Sequence, residues 1–168
     1  MEDFEKLYNA YFKRVFSFLY KMTGDYDLSE DLTQETFYQA FSSFSKFKGN
    51  SDVFTWLATI AKRCYYRHIK KTNQTFAFEG QYIYEICADE MVSKSNDEIT
   101  KREMSFFIKE IIDKLPKMQY DVVILRIYAD LSFKEIANSL NISESSAKVT
   151  FFRAKTAIAK EIQDEFEL

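Results

Sequence analysis

The stretch Leu131–Arg153, LSFKEIANSLNISESSAKVTFFR, decides how the whole chain is read. Ser132 followed three residues later by Glu135 is a capping box, which predicts a helix from Phe133 to about Leu140. Asn141 ends it, because Asn is one of the few residues that accepts the left-handed conformation of a tight helix exit. Ser143 then caps a second helix. Apolar residues at matched spacing turn the two helices toward each other: Ile136, Ala137 and Leu140 on the first, Ile142 in the corner, and Ala147, Phe151, Ala154, Ile158 and Ile162 on the second. Ser145, Ser146, Lys148, Val149, Phe152 and Arg153 are left outward, a small-polar and basic face that suits a DNA major groove. The pattern is a helix-turn-helix. An ordinary helical hairpin with a solvated outer face is the alternative. Phe152 weighs against it, since a ring beside Arg153 on the outer face is wasted in water yet can touch a thymine methyl.

Outside this stretch, the 168 residues suffice for one ordinary domain or two small ones. Only three Gly and one Pro occur, with no sustained strand-like alternation, so the expected fold is all-α. The 17 Phe and 11 Tyr allow small cores to be filled by a few bulky side chains. Cys64 and Cys87 lack metal-ligand spacing, and His68 has no second His with which to complete a metal site. With no Gly-rich phosphate loop either, neither a cofactor, a metal nor a catalytic centre is expected, and the chain is not read as an enzyme. The start, MEDFEKLY, lacks the basic and apolar regions of a signal peptide, and no run of about 18 apolar residues occurs. A reduced, cytoplasmic, soluble protein is expected.

The net charge of −3 conceals an uneven distribution. Residues 1–45 carry 4 basic and 8 acidic side chains, residues 46–71 carry 7 and 1, residues 72–100 carry 1 and 6, and residues 101–168 carry 11 of each. Positive charge is thus gathered into one block between acidic ones, the footprint of a phosphate-binding surface.

Along the chain, Phe4, Leu7, Tyr8, Tyr11, Phe12, Val15 and Leu19 predict a helix from Phe4 to Met22, stopped by Gly24. A second helix is predicted from near Asp27 or Ser29 to about Ser43, with Leu28, Leu32, Thr36, Phe37, Ala40 and Phe44 buried. Glu30, Asp31, Gln34, Glu35 and Tyr38 face elsewhere, either as solvated surface or as a docking face for a basic partner. The loop SKFKGNSD, residues 45–52, leads into a helix from Val53 to about Lys71. Its apolar side carries Leu57, Ile60, Ala61, Cys64, Tyr65 and His68. Lys62, Arg63, Tyr66, Arg67, Lys70 and Lys71 fall on another side, where clustered cations repel each other unless a partner such as phosphate compensates. Phe54, Trp56, Tyr65 and Tyr66 are either core or a platform on which unpaired bases stack.

Residues 72–100 lose periodicity and turn acidic, and are read as a connection, partly ordered at best, between domains at 1–71 and 101–168. Its apolar residues, among them Phe76, Tyr82 and Ile86, have a neighbouring domain or a partner to pack on. Beyond it, Met104, Phe107, Ile108, Ile111, Ile112 and Leu115 form one stripe and Tyr120, Val123, Ile124 and Ile127 another. Together with the helix-turn-helix they make a four-helix unit.

Assembled in this order, the segments resemble a bacterial RNA polymerase sigma factor of the extracytoplasmic-function (ECF) group of the sigma-70 family. DYDLSEDLTQETFYQAF (25–41) is similar to the family's acidic helix that docks on the polymerase clamp. FKGNSDVFTWLATIAKRCYYRHIKK (47–71) is similar to the loop and helix that melt and read the −10 element. LPKMQYDVVILR (115–126) and LSFKEIANSLNISESSAKVTFFRAK (131–155) are similar to the domain that reads the −35 element. The resemblance spans Phe4 to about Ile162.

It implies that Asp31, Gln34 and Glu35 bind core polymerase. It implies that Lys62, Arg63, Tyr66, Arg67, Lys70 and Lys71 meet the −10 DNA, with Lys48, Gly49 and Asn50 holding a flipped base. Lys148, Phe152 and Arg153 enter the −35 groove, with Ser145, Ser146, Val149 and Thr150 on the same face. An anti-sigma factor, often membrane-anchored, is implied as a further partner. Two departures set this chain apart: Arg63 and Arg67 stand where many members carry Asn and then Asp or Asn, and Thr150 stands where many carry Arg. The family's promoter sequence is therefore not implied. A stand-alone helix-turn-helix regulator of duplex DNA is the alternative, though it needs no acidic docking helix. A helical adaptor leaves the cationic block unexplained.

Overall fold

The computed structural model describes residues 2–74, 77–87 and 98–166, and among these it contains eight α-helices and no strand. The chain divides into two compact units, Met1–Thr75 and Phe76–Leu168.

The N-terminal unit is built from α1 (Glu2–Thr23), α2 (Tyr26–Ser43) and α3 (Val53–Thr72), each packed on the other two. Gly24, at φ 66°, closes α1 in a left-handed conformation that Gly adopts without steric cost. The Asp25 side chain then accepts a hydrogen bond from the Leu28 N–H at 3.0 Å, so α2 starts earlier than the sequence suggests. Ser29, one of the two expected starting points, lies inside the helix with its hydroxyl 2.7 Å from that of Thr23. The core contains Val15, Phe18, Leu19 and Met22 of α1, Leu32, Phe37 and Ala40 of α2, and Phe54, Leu57, Ala61 and Tyr65 of α3. The inner face of α2 also buries Ser29, Thr33 and Thr36. The Thr33 and Thr36 hydroxyls are satisfied by carbonyls one turn back, at 2.6 and 2.7 Å, so these small polar residues sit in the core without stranding a donor. Asp52 caps α3, its carboxylate accepting from the Phe54 N–H at 2.9 Å.

The C-terminal unit holds α4 (Ala77–Cys87), α5 (Glu98–Asp113), α6 (Lys117–Ile127), α7 (Phe133–Leu140) and α8 (Glu144–Phe166). α6 is its centre: Tyr120, Val122, Val123, Ile124, Leu125 and Ile127 are all buried, more of its circumference than a single stripe would cover. α4 corrects the reading of residues 72–100 as a connection. Ala77–Cys87 is an 11-residue helix packed on α5 and α8, with Ile83, Tyr84 and Cys87 buried and the Tyr82 ring 5.7 Å from Tyr128. Residues 88–97 and Phe76 lie outside the described residues.

At the helix-turn-helix both halves of the capping box are present. Glu135 N–H donates to Ser132 Oγ at 3.2 Å, and Ser132 N–H donates to Glu135 Oε2 at 2.7 Å. Asn141 takes the left-handed conformation at φ 55°, ψ 45°. Ser146 N–H donates to Ser143 Oγ at 3.0 Å and so starts α8. Ile136, Ala137, Ala147, Phe151, Ala154, Ile158 and Ile162 are buried, with Leu140 and Ile142 partly so.

Candidate nucleic-acid and partner interfaces

In the N-terminal unit, the turn from Phe44 to Lys46 and the loop after it join α2 to the basic helix α3. Gly49 there has φ 69°, while a Cβ on it would meet nothing within 4 Å. Backbone conformation, and not crowding, requires the glycine. Phe47 stacks on Trp56, centroids 4.6 Å apart at 26°. Beside this pair opens a cavity of about 260 Å³ lined by Ser43, Lys46, Phe47, Lys48, Asn50, Ser51 and Trp56. Lys48 and Asn50 were foreseen here. Lys46, Phe47 and Ser51 were not, because the loop has no period from which to read which residues converge. Trp56 belongs to this wall and is half-buried, whereas Phe54 and Tyr65 are core.

Along α3, Arg63, Arg67, Lys70 and Lys71 are exposed, and Tyr66 is half-buried against Tyr65 at 5.7 Å. Lys62 does not join them. It is only 6% exposed, because it lies four residues after Ala58 and three before Tyr65, on the row that α3 packs inward. The basic face is therefore one residue narrower than the sequence suggests.

On α2, Asp31 and Gln34 are exposed and Glu35 is partly so. Tyr38 and Phe41, at 66% and 54%, add two exposed rings to the same helix, and Phe41 also contacts Phe4 at 5.1 Å. Glu35 and Arg67, assigned from sequence to different surfaces, meet: Arg67 Nη2 lies 3.4 Å from Glu35 Oε1 and 3.4 Å from Cys64 Sγ. Burial pushes the Cys64 thiol above its ordinary range, against the lowering effects of Thr36 and Arg67. A neutral thiol at physiological pH is a poor nucleophile and a weak hydrogen-bond partner.

In the C-terminal unit, Ser145, Ser146, Lys148, Val149, Phe152 and Arg153 stand outward on α8 as the spacing requires, and Thr150 is half-buried at the edge of that face. Lys148 Nζ pairs with Glu144 Oε1 at 2.9 Å, one turn earlier. Phe152 remains 53% exposed although its ring lies 5.4 Å from Phe151 and 6.2 Å from Phe133. Arg126 lies 4.7 Å over Phe133 and donates to the Leu131 carbonyl at 2.8 Å, fixing the entry to α7. The outer face of α8 is thus a cationic strip with an apolar shoulder. Among the described residues no group of His, Cys, Asp and Glu is placed to hold a metal, and no helix is long and apolar enough to cross a membrane.

Comparison with known proteins matches residues 7–75 to sigma-70 region 2 and residues 108–158 to sigma-70 region 4. Bacillus subtilis RNA polymerase sigma factor YlaC is 28% identical over 162 residues, covering 95% of this chain and 91% of its own. The B. subtilis ECF RNA polymerase sigma factor SigW is 28% identical over 171 residues, covering 97% and 90%. The sigma factor RpoE of Bartonella quintana, solved in complex with the anti-sigma factor NepR, has the same fold, with a TM-score of 0.56, 19% identity and 98% of both chains covered.

Proposed function

The chain belongs to the sigma-70 family of RNA polymerase sigma factors, in its ECF group, and from that premise we propose how its own residues bind core polymerase and open a promoter. Asp31, Gln34 and Glu35 dock on core polymerase. Arg63, Tyr66, Arg67, Lys70 and Lys71 hold the −10 region, and the loop with Lys48, Gly49 and Asn50 takes a base that has left the stack. Lys148, Phe152 and Arg153 enter the −35 major groove, flanked by Ser145, Ser146, Val149 and Thr150. Extruding a base costs a few kcal/mol, which stacking at about 1–3 kcal/mol per base and hydrogen bonds offset. Polymerase carries out the chemistry.

The observation that carries this reading is the pairing of a cationic helix with an open, aromatic-walled loop cavity beside it. Duplex binding alone gives such a cavity nothing to hold, whereas Trp56 and Phe47 flanked by Lys46, Lys48 and Asn50 suit an unpaired base. An anti-sigma protein that covers these faces, anchored at the membrane while the chain itself stays in the cytoplasm, completes the proposal, as does a regulon that answers a stress or signal. Mapping transcript start sites after forced expression of the chain tests it. New start sites sharing one −10 and one −35 sequence are expected, and an unchanged start-site map overturns it.

A further inference from the structure

Resting on that assignment of faces, we infer that the Glu35–Arg67 ion pair is a latch common to both, so that polymerase docking on α2 releases Arg67 for DNA. Arg67 Nη2 lies 3.4 Å from Glu35 Oε1 across the α2–α3 seam, and the same oxygen accepts from Gln39 Nε2 at 2.9 Å. Gln39 thereby holds the carboxylate in place as a positioning residue. The two side chains remain 60% and 43% exposed, so either can be reached by a ligand without unfolding anything.

The sign follows from charge. A phosphate approaching Arg67 in the free chain also approaches the carboxylate of Glu35, and the pair presents it with little net attraction. When a cation of the polymerase takes Glu35, the guanidinium regains its full charge. By linkage, DNA on Arg67 must favour polymerase on Glu35 by the same factor. An exposed pair of this kind limits the coupling to about fivefold. The cost of leaving the latch is therefore small enough for docking to overcome, and large enough to bias the free chain away from DNA.

The test uses the full chain with Glu35→Gln, Arg67→Gln and the double substitution, measured separately against a labelled oligo-dT strand at low salt and against core RNA polymerase. Glu35→Gln is expected to bind the strand about two- to fivefold more tightly than the wild type, and Arg67→Gln to bind polymerase more tightly by a similar factor. Both gains are expected to vanish when the partner residue is also replaced. Gains that persist in the double variant are a general effect of charge and overturn the latch. So does a Glu35→Gln chain that binds DNA more weakly, which makes Glu35 a support for Arg67. Loss of each variant's own ligand without any gain on the other keeps the assignment of faces and overturns the latch alone. If neither variant weakens its own ligand, the assignment itself falls and the latch with it.

Discussion

Gly80 of α4 lies so close to Ser105 of α5 that a Cβ on Gly80 would overlap the Ser105 carbonyl oxygen. Ser105 and its neighbours Met104 and Ile108 are buried, so α5 has no room to retreat. Gly80→Ala should destabilise the C-terminal unit by about 1–3 kcal/mol through overpacking. Urea unfolding followed by circular dichroism reads this as a lower midpoint with an unchanged slope. An unchanged midpoint would mean that α4 is not held against α5.

That crossing also explains what the sequence left hidden. A Gly inside a helix costs about 1 kcal/mol relative to Ala, so the local signal at Ala77–Cys87 argues against a helix, and only the packing of α4 on α5 overrides it. Lys62 was misplaced for a related reason: a long cationic side chain reads as surface, while its register with Ala58 and Tyr65 turns it inward. The helix-turn-helix was legible nearly residue by residue because its determinants are local, the Ser132–Glu135 box and the left-handed Asn141. The wall of the loop cavity was legible only in part. Phe47 and Trp56 lie nine positions apart, and their stacking depends on how the loop folds back on α3.

The capping box permits a second test. Ser132→Ala removes the acceptor for Glu135 N–H and should cost about 0.5–2 kcal/mol. Ser132→Asp should restore most of it, because Asp caps as well as Ser. Equal thermal midpoints for wild type and Ser132→Ala would contradict the role given to the box.

Cys64 makes stability depend on pH in a defined direction. Its folded thiol is raised above the ordinary value of 9.0, so the folded state keeps its proton where the unfolded state has lost it. The contribution is fully present below about pH 9 and is lost as pH rises through the folded value. Wild type should therefore lose stability as pH rises past about 9 more steeply than Cys64→Ala, whatever the offset between them at neutral pH. Parallel profiles would contradict the burial of this thiol.

Salt dependence separates Lys62 from the cations of the open face. With about four phosphates neutralised by Arg63, Arg67, Lys70 and Lys71, the log–log slope of binding should be roughly 2.8 to 3.6. Replacing Lys70 and Lys71 together by Gln should lower it by about 1.4 to 1.8. Lys62→Gln should leave the slope unchanged and lower the unfolding midpoint, since Lys62 is buried. A slope that falls with Lys62→Gln would place that ammonium on DNA after all.

Run-off transcription with purified core polymerase, on a template carrying a promoter mapped for this chain, shows whether the chain directs initiation through its two cationic faces. Initiation at the mapped start is expected only when chain and polymerase are both present. It should fall by at least tenfold, about 1.4 kcal/mol or more of lost binding, when Arg63 and Arg67, or Lys148 and Arg153, are changed to Glu. Undiminished, correctly placed transcripts from both charge-reversed chains would contradict it.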